Sequence, residues 1–251
     1  MRRFLSFISH SPKIALLIYL LLGGVSVSQA IWPAPQSSQR PATDTVQPNQ
    51  RAEPGRINRA TSDPYKGKLS IFEDPKRAER LQIERVMDVL GIKEGRSVAD
   101  IGAGSGWFTV RAASRVGSTG NVYAVEINRD YIEHINRRAI KEGFTNIRTV
   151  LGKEDDPVLP SHSVDAVLIL KTYHEIAQPI RLLSHLRDAM RPGALLGIID
   201  KDGKGDDHGI GSTTVIKEAE QAGFSLVEQY DFVKPDGMDY FLVFKVRSTP
   251  S

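Results

Sequence analysis

The sequence predicts an α/β domain built on a doubly wound sheet with its last strand reversed. Strand-like and helical stretches alternate from Leu69 onward, and several strand-like runs are apolar almost throughout. Only KPDGM separates VEQYDFV from the final run. Alternation implies parallel strands joined by crossover helices. Continuous apolar runs imply strands covered on both faces. A hairpin-length link implies an antiparallel final strand, because a parallel return needs a longer crossover.

The elements are taken in chain order. Asp74-Pro75 reads as an N-cap with proline at the first helical position, and Leu81, Val86, Met87 and Leu90 mark one helical face that ends at Gly91. Strand-like runs are SVADI (97–101), NVYAVEI (121–127), IRTVL (147–151), VDAVLIL (164–170), ALLGIID (194–200), SLVEQYD (225–231) and DYFLVFKV (239–246). Helical spacing covers 107–116, 130–142, 179–190 and 213–222, the last capped by Ser212.

Upstream of this domain the composition differs. Residues 1–68 carry nine Lys and Arg against three Asp and Glu, whereas residues 69–251 carry 24 against 27. The overall charge of +3 therefore belongs to the N-terminal part, and the domain has no basic bias toward nucleic acid. Arg2, Arg3 and Lys13 precede an apolar run, IALLIYLLL, and then Ser28-Gln29-Ala30. That order is a signal peptide over 1–30 or an N-terminal membrane anchor, and either exports the downstream chain. Residues 31–68 are rich in Pro, Gln and Arg and poor in apolar side chains, as in a disordered linker. The domain proper spans 69–251. The chain has no cysteine, which excludes thiolate metal ligands, disulfides and cysteine catalysis.

The chemistry is signalled by VADIGAGSGWFT at 98–109. Gly102, Gly104 and Gly106 leave the position of a third dinucleotide glycine to Trp107. A pyrophosphate needs the helix N-terminus close by. S-adenosylmethionine (SAM) has no phosphate and suits a wider loop, with Asp100 orienting that loop or attracting the ligand's ammonium. The run 121–127 carries Glu126 near its end, at about the 20-residue distance where an acid binds ribose hydroxyls.

Together, VADIGAGSGWFT, GNVYAVEIN, GKEDDPVLPSHSVDAVLIL and LRDAMRPGALLGIID resemble successive motifs of the class I SAM-dependent methyltransferases, near the ubiquinone/menaquinone-type small-molecule branch. The resemblance implies a Rossmann-like, three-layer αβα sheet of seven strands. It implies SAM as cofactor, with Asp100, Gly102, Gly104 and Gly106 at the methionine part, Glu126 at the ribose and Ile127 on the adenine. Many relatives carry an Asp after the glycine matching Gly152. This chain has Lys153 there, followed by Glu154 and Asp155, which become the adenine-side candidates.

Ligands of open α/β sheets bind beyond the carboxyl ends of the strands. Strand 164–170 is followed by KTYHE, so Lys171, Tyr173, His174 and Glu175 fall at the methyl pocket, with Lys171 on the cofactor side. His174 is the candidate base and Tyr173 its companion. Asp200, Lys201 and His208 belong to a long polar loop at the same edge. Its Asp202, Asp206, Asp207 and His208 lack a recognised ligand spacing and read as solvated charge, so no metal is expected. Arsenic methylation, which uses cysteine thiolates, is disfavoured.

These readings predict methyl transfer to a small-molecule or lipid-like acceptor, without nucleic acid and with membrane association only through the N-terminal segment. The alternative is a non-catalytic SAM- or nucleoside-binding module on the same fold. An NAD(P) oxidoreductase is third. A reporter fused after residue 60 is expected to be active only outside the cytoplasm, because positive charge precedes the apolar segment. Cytoplasmic reporter activity contradicts the export reading.

Overall fold

The computed structural model describes Ile57, residues 59–62, 67–204 and 208–247. The proposed signal or anchor and most of the proposed linker lie outside the described residues, as do Asp206 and Asp207. Among the described residues no helix is long and apolar enough to cross a membrane.

The helical elements are α1 (Arg77–Arg80), α2 (Ile83–Val89), α3 (Trp107–Val116), α4 (Arg129–Glu142), α5 (Pro179–Ala189) and α6 (Ser212–Gln221). The strands are β1 (Ser97–Ile101), β2 (Asn121–Glu126), β3 (Ile147–Leu151), β4 (Val164–Leu170), β5 (Met190–Asp200), β6 (Phe224–Tyr230) and β7 (Tyr240–Val246). They form one seven-stranded sheet in the order β3-β2-β1-β4-β5-β7-β6. β1 pairs in parallel with β2 and β4, and β4 with β5. β7 runs antiparallel to both of its neighbours, β5 and β6. The reversed strand therefore fills the gap between them. A 3-10 turn at Lys234–Asp236, closed by Gly237 at φ 76°, makes the short return possible.

Alternation along each strand splits the core between the two faces. Ala99, Ile101, Val167 and Ile169 pack with Leu182, Leu183 and Leu186 of α5 and Val215 and Ala219 of α6. Val98, Ala166 and Leu168 pack on the other face with Val86, Met87, Phe108, Ala112 and Val116. All of these residues are buried, which accounts for the apolar runs read from sequence.

Three local expectations are corrected. The single helix expected up to Gly91 is divided, because Gln82 sits at φ 52° and ends one short helix before the next begins. Its side-chain amide donates to Phe232 O at 3.0 Å, a long-range bond that holds the break. Asp74 Oδ1 does accept from Lys76 N–H at 2.8 Å, but helical conformation starts later, at Arg77. Ser212 is the first residue of α6 rather than its cap; Gly211 holds the cap position.

A short upstream segment also joins the packed unit. Ile57 lies against the α5–α6 face of the core. The Arg59 guanidinium donates to both oxygens of Glu218 at 2.6 and 2.7 Å and to Tyr173 O at 3.0 Å. Both side chains of this ion pair are nearly buried. Arg59 N–H also donates to Ala177 O at 3.0 Å. The packed unit therefore includes residues before Leu69.

Candidate functional site

Parallel pairing brings the carboxyl ends of β2, β1, β4 and β5 side by side. Asp100 lies one residue before the end of β1 and is only 2 % exposed. Its Oδ2 accepts from the Thr109 hydroxyl at 2.6 Å, and its carboxylate also takes a bond from the Thr109 backbone N–H. A buried acid thus satisfies a donor in the first turn of α3, where the helix dipole favours negative charge. Burial nevertheless dominates. It pushes the Asp100 carboxyl up to about 7, with the neighbouring Glu126 adding to the rise and the Thr109 bond opposing it.

Glu126 ends β2 and is 8 % exposed. Its Oε1 accepts from Gly104 N–H at 2.8 Å, and its Oε2 accepts from Ile127 N–H at 3.0 Å and Asn128 N–H at 3.4 Å. Burial raises its pKa against these three bonds. A carboxylate has about four acceptor positions. The acid therefore ties the glycine loop to β2 and keeps acceptor capacity for hydroxyls.

All three loop glycines have positive φ: 72° at Gly102, 56° at Gly104 and 78° at Gly106. That left-handed backbone is one reason for glycine. Their surroundings differ. A Cβ on Gly102 would lie 2.3 Å from Thr172 Cγ2, so the loop presses on the segment after β4. A Cβ on Gly104 would have nothing nearer than Gly102 O at 4.0 Å. Gly104 thus borders an open space that a side chain would enter.

Ile127, directly after Glu126, is 53 % exposed, an apolar surface beside the acid. Lys153 and Glu154 are exposed, whereas Asp155 is bound to Arg181 at 3.0 Å. The loop carrying them is held by Gly152 N–H donating to Glu126 O at 2.8 Å. Lys171 is also exposed and follows β4 at φ 53°, its N–H donating to Ile199 O at 2.7 Å.

On the β4–β5 side, the structure separates the two residues paired as a catalytic couple. Tyr173 is fully buried, and its hydroxyl donates to Glu218 Oε2 at 2.8 Å. Burial, then the Glu218 charge, holds that hydroxyl well above its ordinary pKa. Tyr173 therefore packs the α6 side and holds its proton there. His174 is 4 % exposed, and its Nδ1 lies 2.9 and 3.0 Å from the two oxygens of Asp200, at the end of β5. Asp200 also accepts from His174 N–H at 3.1 Å and Lys201 N–H at 2.9 Å. These bonds assign a ring proton to Nδ1, facing Asp200. Asp202, of the polar loop, accepts from Ser212 N–H at 3.1 Å, a structural bond.

Sequence reasoning missed the network around the loop's rim. Ser105 Oγ donates to Glu73 at 2.6 Å, and Arg138 donates to the same carboxylate at 2.6 Å and to Ser105 O at 3.1 Å. The guanidinium groups of Arg77 and Arg111 both lie over the Trp107 ring, 4.5 and 4.0 Å from its centre. Its buried Nε1 has no hydrogen-bond partner among the described residues. Nothing in the local sequence around Glu73 marks these contacts. The Asp200–His174 pair had a usable signal, since both residues follow or end adjacent parallel strands.

A methyltransferase-domain family model matches residues 98–193. A protein-L-isoaspartate O-methyltransferase of Pyrococcus horikoshii is 27 % identical over 44 % of this chain and 47 % of its own length. A 2-phytyl-1,4-naphtoquinone methyltransferase of Trichormus variabilis is 30 % identical over 48 % of this chain and 53 % of its own. The chain thus spans about half the length of these curated relatives. A SAM-dependent methyltransferase structure from Aquifex aeolicus superposes with a TM-score of 0.64 at 26 % identity, covering 70 % of this chain and 95 % of that one. Residues 98–193 therefore match a methyltransferase domain, and the fold is shared with a SAM-dependent methyltransferase.

The residues fit the SAM that this family implies. The open space at Gly104 admits a ligand against the backbone, and Ile127 offers an apolar face beside the acid. Asp100, beneath the loop, suits the ammonium of SAM, and Glu126 keeps acceptor capacity for its ribose hydroxyls.

The raised Asp100 carboxyl gives a pH test. The folded state retains a proton that the unfolded chain releases near the ordinary value of 3.8. The stability contributed by this group is therefore complete below about pH 4 and is lost as pH rises through about 7. Asp100→Asn is expected to flatten the ligand-free melting profile across that window and to melt above the unsubstituted protein at pH 8. Parallel profiles for the two proteins contradict the assignment.

Proposed function

We propose that this chain transfers a methyl group from SAM to a small-molecule or lipid-like acceptor. One observation carries the reading: the acid-backed glycine loop after β1 abuts the segment after β4, two residues from His174. Cofactor side and acceptor side are thereby joined at one sheet edge. When bound, SAM supplies an electrophilic methyl on a sulfonium, and the remaining work is alignment and removal of the acceptor's proton. Glu126 and the loop backbone hold the cofactor. His174, its Nδ1 proton held by Asp200, offers the Nε2 lone pair on the acceptor side.

The relatives named for a phytyl-naphthoquinone and for aklanonic acid support a small-molecule acceptor. The domain's acidic balance argues against nucleic acid. We also propose export of the domain by the N-terminal segment, on the charge order of residues 1–30. A [4+2]-cyclase shares the fold at a TM-score of 0.58 and 14 % identity, so the reaction rests on the site and not on the architecture.

Two substitutions separate binding from chemistry. Glu126→Ala is expected to weaken SAM binding by roughly thirtyfold, equivalent to a net loss of about 2 kcal/mol of charge-assisted hydrogen bonding. His174→Ala is expected to leave SAM affinity nearly unchanged and to lower turnover by at least about 10²-fold. Calorimetry and a methyl-transfer assay with extracted small molecules and lipids read the two effects. SAM binding by the unsubstituted protein with no transfer to any fraction favours the non-catalytic module instead. Unchanged affinity and turnover in both variants contradict the placement of the site.

A further inference from the structure

His174 faces a carboxylate at each ring nitrogen: Nδ1 lies 2.9 Å from Asp200 Oδ1, and Nε2 lies 3.4 Å from Glu175 Oε1. His208 Nδ1 lies 3.4 Å from the same oxygen. The three ligand atoms all fall within 4.8 Å of one another. Two imidazole nitrogens and a carboxylate oxygen converge here, a donor set suited to a cation.

We propose that His174 Nε2, Glu175 Oε1 and His208 Nδ1 bind one divalent cation of the zinc class. A tetrahedral zinc with bonds of about 2.0–2.2 Å places neighbouring ligand atoms roughly 3.4 Å apart. Two of the three separations already have that length. Two imidazoles favour zinc and its transition-metal neighbours over magnesium or calcium, which take oxygen ligands. The surroundings resemble those of a built site. Asp200, fully buried, accepts from His174 on the ring face opposite the ligand nitrogen, the carboxylate–histidine arrangement that fixes ring orientation. Glu175 is oriented by Ser62, whose N–H donates to Oε2 at 2.9 Å and whose hydroxyl donates to Oε1. The loop bearing His208 is closed by the Lys204–Ile210 bridge, and Ile210 is fixed by its N–H donating to Lys201 O at 2.8 Å. The sequence had set His208 among solvated charges; what it did not supply is the approach of His208 to residues 33 and 34 positions earlier.

Three protein ligands leave a fourth position open. On the methyl-transfer reading, on which this role rests, that position holds an oxygen or nitrogen of the acceptor as its anion. The acceptor's proton passes to water, and the retained electron pair forms the new bond to the methyl as the methyl–sulfur bond breaks and its electron pair leaves on neutral S-adenosylhomocysteine. His174 then acts as a ligand rather than as a free base.

The test uses the chelator-treated full chain and Zn²⁺ alone, followed by calorimetry, with Co²⁺ absorption as a report of tetrahedral coordination. One equivalent is expected to bind, with excess Mg²⁺ failing to compete. His208→Ala and Glu175→Gln are each expected to weaken binding at least about tenfold. His162→Ala and His185→Ala, outside the cluster, are expected to bind as the unsubstituted protein does. Because His208 is exposed, its replacement leaves the core intact, and the melting temperature checks this directly. Absence of saturable Zn²⁺ binding, or binding unchanged by His208→Ala, overturns the proposal. SAM titration of the same sample keeps the two readings apart: SAM binding without Zn²⁺ binding refutes the metal site alone, and the reverse refutes the cofactor reading alone.

Discussion

Three buried carboxylates at the carboxyl edge of the sheet govern this structure. Asp100, Glu126 and Asp200 are at most 8 % exposed, at or next to the ends of β1, β2 and β5. A buried carboxylate without partners costs several kcal/mol, so each must collect donors from the loop beside it. Asp100 collects Thr109 and so sets the start of α3. Glu126 collects Gly104, Ile127 and Asn128 and so fixes the glycine loop against β2. Asp200 collects His174 and Lys201 and so fixes the imidazole. The requirement for buried charge to be satisfied is thus the same requirement that gives the functional loops their shape.

This accounts for the division of the site. The β1–β2 half is acidic, backed by glycines, and open at Gly104. The β4–β5 half presents histidines and a carboxylate. Thr172 joins them, since it fills the space against Gly102 and belongs to the segment that delivers His174. A larger side chain at Gly102 would separate the halves as well as strain the loop. The upstream stretch of chain through Arg59 and Ser62 braces the second half from outside, through Glu218 and Glu175.

Much of this was legible in the sequence because it is local. The limits of α3, 107–116, follow from glycine on its N-terminal side and apolar spacing within it, and the structure has the same limits. The reversed strand followed from the length of one connection. The division of the first helix was not legible, because Leu81, Val86, Met87 and Leu90 keep one apolar face across the break and the bond holding Gln82 comes from residue 232. The separation of Tyr173 from His174 was not legible for a similar reason. Neighbours in sequence point to different layers, and the partner of Tyr173, Glu218, lies on a helix 45 residues away. Composition placed Arg59 in a linker, since a single buried ion pair leaves no trace in the average polarity of a segment.

The central claim is that the acid-backed loop is built for a cationic nucleoside ligand and not for a dinucleotide. Isothermal titration of the full chain with SAM, S-adenosylhomocysteine and NAD measures this most directly. The account predicts saturable one-to-one binding of SAM and S-adenosylhomocysteine and no measurable binding of NAD. Binding of NAD in preference to SAM, or of none of the three, would contradict it.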